Sequence, residues 1–215
     1  MIPVGEFDAL LVKGTVPDAY RPTLYDFIAH ELLDFYALGE VSGLAWNDDV
    51  SLSADGPALD DLAGFSFIIP DEAARRSPVL RALRLYQNLL RFHEGDADPA
   101  AYADADLCRL QFCYNQVTGE SRDQRYAAAL DRFAHRWKTH EVSSRAFALR
   151  ARLALGQGDP GLARMIARNG AAGFPKSIGA AQCRNLVAEV EAPSLDFAAE
   201  RVWCKPWPEM EITYK

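Results

Sequence analysis

The run from residue 20 to residue 36, YRPTLYDFIAHELLDFY, constrains the fold more than any other stretch of the chain. Thr23 can cap a helix, and Asp26 three residues later completes a box-like start and suits the positive end of the helix dipole. Apolar side chains then recur at helical spacing: Leu24, Phe27, Ile28, Leu32, Phe35 and Tyr36. This aromatic stripe predicts a helix from about Thr23 to Leu38 that buries the stripe against other helices.

Six further helices are predicted from the same periodicity and from capping residues. The clearest start is Ser77–Pro78, because serine caps helices and proline is favoured at the first helical position. The approximate bounds are 77–93, 99–117, 122–138, 143–155, 160–170 and 177–191. In the helix at 99–117 the side chains expected to face inward are Leu107, Leu110, Phe112 and Tyr114, and those expected to face outward are Asp104, Asp106 and Arg109.

A degenerate repeat lies in the second half of the chain. Residues 144–177 fit a tetratricopeptide frame of 34 residues. The frame places small residues where two helices approach closely, at Ala151, Ala163 and Ala167. It places the turn between the helices at Gly158 and Asp159, and the closing proline at Pro175. One period earlier, Ala129 and Phe133 take the matching positions. The sequence therefore predicts a mainly α-helical fold of antiparallel helical hairpins stacked as a tetratricopeptide-like array.

Three stretches depart from the helical pattern. Residues 1–19 are expected to be extended, anchored by Phe7, Leu10, Leu11 and Val12. Residues 44–76 form an irregular insert, in which Phe65–Ile69 is a strand or a loop that plugs the core. Residues 194–215 are extended, because Pro206 and Pro208 exclude a helix. This tail could dock on the helices, pair with Phe7–Val12 or form an exposed edge. The predicted domains are 1–193, helical, and 194–215, extended.

Composition limits the function classes. The chain has 215 residues and a net charge of −7, and nucleic acid is excluded as the main partner because phosphate binding needs a basic face. No apolar run approaches the ~20 residues of a membrane helix, so no membrane insertion is expected. The first residues lack the basic start and long apolar core of a signal peptide.

Two short motifs resemble known sites. His30-Glu31-Leu32-Leu33-Asp34 differs from the zinc motif HExxH only in its last residue, yet a polar helix face is the expected role. The run from Gly156 to Gly161 satisfies GxGxxG, but a helix precedes it instead of a strand, and a turn between helices is expected.

The other candidate groups are also expected to have structural roles. His135 and His140, with Glu141, are a weak metal candidate. Asp96, Asp98, Asp104 and Asp106 lack the spacing of a calcium loop. They are expected on a solvated surface, or as N-terminal charges that complement the dipole of the helix at 99–117. The cysteines at 108, 113, 183 and 204 form no CxxC pair and are expected to be buried apolar residues. An aromatic binding surface is the alternative to helix packing for Tyr20, Tyr25, Tyr36, Trp46 and Trp137. No catalytic residue, cofactor or metal site is expected.

Several segments carry a family resemblance. The run at 20–36, LRALRLYQNLLRFH at 80–93, DADLCRLQFCYN at 104–115 and FPKSIGAAQCRNLVAEVEAPSLDFAAERV at 174–202 resemble the N-terminal region of bacterial alpha-2-macroglobulin-like proteins of the Bacteroidetes type. The resemblance implies a helical region that precedes the first macroglobulin-like β-sandwich of a very large protease trap, exported to the periplasm or cell envelope. The chain would then be a fragment, and it holds no Cys-Gly-Glu-Gln thioester run.

Two non-catalytic hypotheses follow. The first is a helical scaffold or interaction domain of such a protease inhibitor, in contact with adjacent macroglobulin-like domains of the parent chain or with another protein. The alternative is a stand-alone tetratricopeptide-like adaptor that binds a peptide or partner protein in a concave groove. An enzyme is the least favoured class, since no set of catalytic groups is indicated.

Overall fold

A computed structural model describes residues 2–12, 14–37, 50–193, 195–199 and 210–214, without the side chains of the last two segments. The predicted mainly helical fold is confirmed. The α-helices of this part of the chain are α1 Leu24–Ala37, α2 Leu62–Phe65, α3 Asp71–Arg76, α4 Pro78–His93, α5 Ala100–Gln116, α6 Arg122–Arg136, α7 Ser143–Gly156, α8 Pro160–Gly173 and α9 Ile178–Glu191. No helix in the described ranges is long and apolar enough to cross a membrane.

Capping residues, among them the predicted Thr23 and Ser77, explain where several helices begin. At α1 the backbone N–H of Thr23 donates to Asp26 at 2.9 Å, and the N–H of Asp26 donates back to the Thr23 hydroxyl at 3.3 Å. Ser77 accepts the N–H of Leu80, and Asp159 and Ser177 cap α8 and α9 in the same way. Each cap supplies an acceptor to an N–H that has no partner within its helix.

The described strands are short. Strand β1, Leu52–Ser53, pairs in parallel with β2, Val117–Thr118, and ties the insert to the end of α5. Strands β3, Leu195–Ala199, and β4, Met210–Tyr214, pair with each other in antiparallel register. The described parts of the tail are therefore extended, as predicted, but they pair locally and not with Phe7–Val12. The division at residue 193 stays a prediction.

Helix α1 contradicts the expectation about its buried face. The residues that it buries are Asp26, Ala29, His30 and Leu33, whereas Ile28, Leu32 and Phe35 of the apolar stripe are exposed. The reason is electrostatic, because Asp26 and His30 face charged groups of α4 and α5 in the interior. A charged side chain is buried where it finds such partners, and that outweighs the apolar pattern here.

Helix α5 is buried on more sides than its pattern predicted. Leu107, Leu110 and Phe112 are buried as expected and Tyr114 is half-buried, but the outward orientation expected of Asp104, Asp106 and Arg109 is wrong. Arg109 donates to Asp106 at 2.9 Å and to the carbonyl oxygen of Ala58 at 2.8 Å, and its guanidinium lies 4.4 Å from the centre of the Phe65 ring. These contacts replace the hydration that the charges lose.

The N-terminal stretch and the insert differ from expectation in detail. Val4–Phe7 forms a 3₁₀ turn, and Leu10 and Val12 are exposed and do not anchor the chain. Within the described part of the insert, residues 65–69 form no strand, and only the two ends of the segment, Phe65 and Ile69, plug the core, whereas Ile68 is exposed. Gln87 fixes the position of this segment, because its side-chain amide donates at 2.9 Å to the carbonyl oxygens of Phe65 and Phe67.

Helices α7, α8 and α9 pack on one another through small side chains. Ala151, Ala163 and Ala167 are buried as predicted, and Gly158 takes a positive φ of 80° in the turn before α8. The closest approach involves Gly179, which the sequence reasoning did not single out. A Cβ built on Gly179 would lie 2.3 Å from the backbone nitrogen of Arg145. Glycine at this position therefore lets α9 touch the backbone of α7.

Gly179→Ala is accordingly expected to destabilise the protein by about 1–3 kcal/mol, because the added methyl group would overlap backbone that cannot move aside. Urea unfolding followed by circular dichroism measures the change. Gly173→Ala at the end of α8 is the matched control, since nothing lies within 4 Å of its built Cβ, and it should leave the midpoint within error or raise it. Equal midpoints for the two variants would contradict the close approach of α9 to α7.

Candidate functional site

The most unusual group of side chains surrounds Asp104 on α5. The Asp104 side chain is 0% exposed, and its Oδ1 forms an ion pair with Arg145 of α7. Its Oδ2 lies 3.7 Å from Nε of Arg21 and 3.8 Å from Nε2 of His30 on α1. Asp104 thus joins three parts of the chain, and we call Arg21, His30, Asp104, Cys108 and Arg145 the Asp104 cluster.

One carboxylate oxygen of this cluster is left without a hydrogen bond. Among the described residues, no group hydrogen-bonds to Oδ2 of Asp104, and Nε of Arg21 is likewise buried without a hydrogen-bond partner. A buried polar atom without such a partner is costly, since it has given up water and gained no replacement. The arrangement therefore leaves an acceptor available in the interior, beside His30.

Cys108 adds a sulfur atom to the cluster. It lies one helical turn beyond Asp104, and its Sγ is 3.8 Å from Oδ1 of that residue. The ligand atoms of His30, Asp104 and Cys108 all lie within 4.8 Å of one another. Nitrogen, oxygen and sulfur donors at this separation are the set from which zinc sites are built.

The protonation states in the cluster are set mainly by burial. Burial, reinforced by the charge of Arg21, lowers the pKa of His30 to about 4. Burial and the negative charge of Asp104 raise the pKa of the Cys108 thiol to about 12. Near neutral pH the cluster therefore holds a neutral imidazole and a protonated thiol. A thiol in that state is a poor nucleophile. The arrangement therefore suits holding helices together or binding a ligand better than covalent catalysis.

The cluster extends towards the start of α7. The Tyr20 hydroxyl donates to a carboxylate oxygen of Glu141 at 2.9 Å, and the Arg145 guanidinium lies 5.4 Å from the centre of the Tyr20 ring. Burial and the hydrogen bond to Glu141 raise the pKa of Tyr20 above its ordinary value. Tyr20 and Arg145 therefore lock the segment before α1 onto α7.

A second buried ionic group holds α1 against α4. His93 lies between two carboxylates, with Nε2 2.6 Å from Oδ1 of Asp26 and Nδ1 2.6 Å from Oδ2 of Asp96. A neutral imidazole can donate from only one ring nitrogen, whereas the imidazolium donates from both. The geometry therefore indicates a positively charged His93 with two carboxylate partners.

The pKa shifts agree with this charge assignment. Burial acts to lower the pKa of His93, but the hydrogen bonds and charges of Asp26 and Asp96 outweigh it and raise the pKa above its ordinary value. Burial acts to raise the pKa of Asp26, but hydrogen bonds from His93 and Thr23 outweigh it and lower the pKa. The two groups stabilise each other in their charged forms.

The HExxH-like motif is not assembled as a unit. Asp34 is exposed, whereas His30 is buried and faces Asp104, so the expected polar face for His30 is wrong. The residues of the GxGxxG run lie at the end of α7, in the turn and at the start of α8, as predicted.

The remaining candidates are the histidine pair and the acidic residues. His135 is exposed, whereas Nδ1 of His140 accepts the N–H of Val142 at 3.2 Å. The solvated surface expected for the acidic residues is wrong for Asp104 and Asp106, which are buried. Asp98 accepts the N–H of Ala100 at 3.0 Å.

The described cysteines fit the expected packing role only in part. Cys113 and Cys183 are buried and Cys108 is half-buried, and these three thiols are free; Cys204 lies outside the described residues. Among the aromatic candidates, Tyr20 is buried, Tyr25 is partly exposed and Trp137 packs beside Phe133, with 6.4 Å between ring centres. Trp46 also lies outside the described residues.

The exposed face of α1 carries part of the apolar stripe that the sequence pattern predicts to be buried. Its four large apolar side chains are 39%, 56%, 39% and 49% exposed and follow one another at helical spacing: Tyr25, Ile28, Leu32 and Phe35. We call them the α1 ridge. A contiguous apolar surface of this kind is typical of a binding face.

Comparisons with known proteins identify no relative, so the function is inferred from the sequence and the structure. A scan against protein-family models, a search of curated proteins and a search of solved structures find no match.

Proposed function

We propose that this chain is a non-catalytic helical scaffold and interaction domain of a large bacterial alpha-2-macroglobulin-like protease inhibitor. In this proposal its helices form a tetratricopeptide-like array, and residues 194–215 lead into the first macroglobulin-like β-sandwich. The parent protein acts in the periplasm or cell envelope. The observation that carries the interaction role is the α1 ridge, and the occupant that we propose is the adjacent macroglobulin-like domain.

The α1 ridge supports this role because its exposure is costly in water. Burying one side chain such as Ile28 or Leu32 is worth roughly 1.5–3 kcal/mol. Aromatic side chains at the two ends, Tyr25 and Phe35, provide the large anchors that dominate interface energies. Because α1 packs inward through Asp26, Ala29, His30 and Leu33, its apolar face stays exposed and can contact a partner.

The buried ion pairs support the scaffold role. Asp26 joins α1 to α4, and Asp104 joins α5 to α7 and to the segment before α1. Removing one partner of such a pair is strongly unfavourable, so these contacts favour a single arrangement of the helices. A domain that positions its neighbour benefits from that rigidity.

The interaction role is tested by Ile28→Asp combined with Leu32→Asp. Both side chains already contact water, so we expect an unfolding midpoint close to that of the wild type. Binding to the following sandwich domain, produced separately, should weaken at least tenfold, because two charges would enter an apolar contact. Isothermal titration calorimetry measures the affinity.

Met165→Asp is the matched control, since Met165 is an exposed apolar residue on α8, outside the α1 ridge. It should leave the affinity unchanged. Equal affinities for the wild type and the double variant would overturn the assignment of the α1 ridge as the docking face.

The parent protein is tested by its native size. An antibody raised against this 23.8 kDa chain should detect a band many times larger in the envelope or periplasmic fraction of the source cells. A cytosolic band near the size of the chain would contradict the inhibitor hypothesis.

The adaptor alternative is favoured by a groove between α5, α6 and α7. Its lining includes Asn115, Arg152 and Gln157 together with Tyr114 and Tyr126, whose rings stack 4.1 Å apart. Amides, a guanidinium and aromatic rings suit an extended peptide. The test is to screen the protein against a peptide array for a peptide that binds saturably. Loss of that binding in Arg152→Ala would favour the adaptor.

A further inference from the structure

We propose that His30, Asp104 and Cys108 form a binding site for one zinc-class divalent metal ion, which would join α1 to α5. The ligands would be Nε2 of His30, one carboxylate oxygen of Asp104 and Sγ of Cys108. The proposal goes beyond the scaffold role and does not depend on which parent protein carries the domain.

The distances are close to those of a tetrahedral site. Zinc–ligand bonds of about 2.0–2.3 Å at tetrahedral angles separate neighbouring ligand atoms by about 3.3–3.8 Å. Here Nε2 of His30 lies 3.8 Å from Oδ2 of Asp104, the oxygen that would bind the metal ion. Sγ of Cys108 lies 3.8 Å from the other carboxylate oxygen, Oδ1. The widest separation within the set is at most 4.8 Å. Small side-chain rotations would bring the three atoms to coordination distance.

An independent observation points to a missing ligand at this place. The Asp104 side chain is fully buried, and its Oδ2 is inaccessible to solvent. This oxygen nevertheless accepts no hydrogen bond from any described residue. A carboxylate oxygen in this state gains a strong partner when a cation binds. Arg145 accounts for Oδ1, whereas Oδ2 has only ion-pair contacts that are too long for hydrogen bonds, to Arg21 at 3.7 Å and to His30 at 3.8 Å.

The two arginines are compatible with a bound cation for different reasons. Arg145 contacts Oδ1 and would orient the carboxylate, as outer partners of metal ligands commonly do. Arg21 has a side chain that is 27% exposed and an Nε without a hydrogen bond. Arg21 can therefore turn towards solvent when a cation replaces it.

The donor set indicates the class of metal. An imidazole nitrogen, a carboxylate oxygen and a thiolate suit Zn²⁺, for which Co²⁺ is a spectroscopic substitute, and they do not suit Ca²⁺ or Mg²⁺, which prefer oxygen ligands. Binding converts the Cys108 thiol and the metal ion into a metal–thiolate bond and releases one proton to solvent. Three protein ligands leave the fourth position for a water molecule.

The test is a Co²⁺ titration of the purified chain, followed in the near ultraviolet, where cobalt–thiolate coordination gives a charge-transfer band. We expect the band to saturate at one equivalent. Cys108→Ser should abolish it, because the only sulfur ligand is lost. His30→Gln should weaken binding by more than the 10–100-fold typical of outer-partner changes.

Three matched variants keep the test specific. Cys113→Ser, Cys183→Ser and Cys204→Ser each remove another thiol and should leave the band intact. Zn²⁺ should raise the melting temperature of the wild type and of these controls but not that of Cys108→Ser. Circular dichroism of Cys108→Ser, which should remain helical, checks that the variant folds. No band at one equivalent of Co²⁺, or a band that survives in Cys108→Ser, would overturn the site and leave the Asp104 cluster as an ion-pair network only.

Discussion

Asp104→Ala is expected to destabilise the folded chain by about 3–5 kcal/mol, the range found when one partner of a buried ion pair is removed. The variant would leave Arg145 with a buried positive charge and no carboxylate, and Arg21 and His30 would lose the group that they face. Urea unfolding at neutral pH, followed by circular dichroism and by tryptophan fluorescence, measures the loss and checks two-state behaviour.

The control for the Asp104 prediction is an ion pair at the surface. Glu72→Ala removes the partner of Arg75 on α3, where both side chains are about three-quarters exposed and lie 3.8 Å apart. Solvent screens such pairs, so the expected change is below about 1 kcal/mol. A loss of similar size in both variants would contradict the central role of Asp104.

A double variant separates the ion pair from the remaining contacts of Asp104. Arg145→Met in the Asp104→Ala background should cost less than Arg145→Met in the wild type, because the charge that it removes is already unpaired. Additive losses would show that Asp104 and Arg145 do not act as a pair.

His93→Gln is expected to lower stability by an amount that depends on pH, with the largest loss between about pH 4 and pH 6.5. The reason is that His93 and Asp26 are shifted in opposite directions. The pKa of His93 is raised on folding, so its contribution is complete below the unfolded value of about 6.5 and is lost as the pH rises through the folded pKa. The pKa of Asp26 is lowered, so its contribution is present above the unfolded value of about 3.9 and is lost as the pH falls through the folded pKa.

Unfolding free energies of the wild type and of His93→Gln at pH 5.5 and pH 9 measure this dependence. The difference between the two proteins should be larger at pH 5.5, because the imidazolium is then present in the folded state and its partners are ionised. A difference that is larger at pH 9 would contradict a charged His93. His135→Gln is the control, since His135 is exposed on α6, and it should show little dependence on pH.

Histidine NMR titration checks the same assignment directly. The His93 ring should titrate above its ordinary pKa of about 6.5, whereas the His30 ring should titrate well below it, near 4. At His93 two carboxylates outweigh the effect of burial on the pKa, whereas at His30 burial dominates and the charge of Arg21 reinforces it. A shift in the same direction for both would contradict this electrostatic account.

Local chemistry in the sequence was sufficient to place most of the helices, but not α2 and α3, which lie in the stretch expected to be an irregular insert. Caps act within one turn, so Ser77 marked the start of α4 without knowledge of the rest of the fold. Asp159 and Ser177, which cap α8 and α9, lie at or next to the predicted bounds of those helices. Small residues such as Ala151 and Ala163 marked where helices approach closely. The same reasoning did not single out Gly179, because its role depends on a helix that lies more than twenty residues earlier in the chain.

The candidate site was beyond this kind of inference. Asp104 and Cys108 are four residues apart, which places them on one face of α5, but nothing in that spacing identifies His30 as their neighbour. The HExxH pattern pairs His30 with position 34 of its own helix, where Asp34 stands. The partner that the fold supplies comes instead from 74 positions further along the chain.

The sequence by itself determined that this protein is mainly helical, where most helices begin and which small residues lie between them. Each of these depends on contacts within a few residues along the chain. Only the tertiary structure decided which faces of α1 and α5 are buried, because that choice depends on charges distant in sequence: Asp26 with His93, and Asp104 with Arg145. Periodicity ranks faces by apolar content, whereas a buried ion pair with good geometry can turn a polar face inward and leave an apolar ridge on the surface.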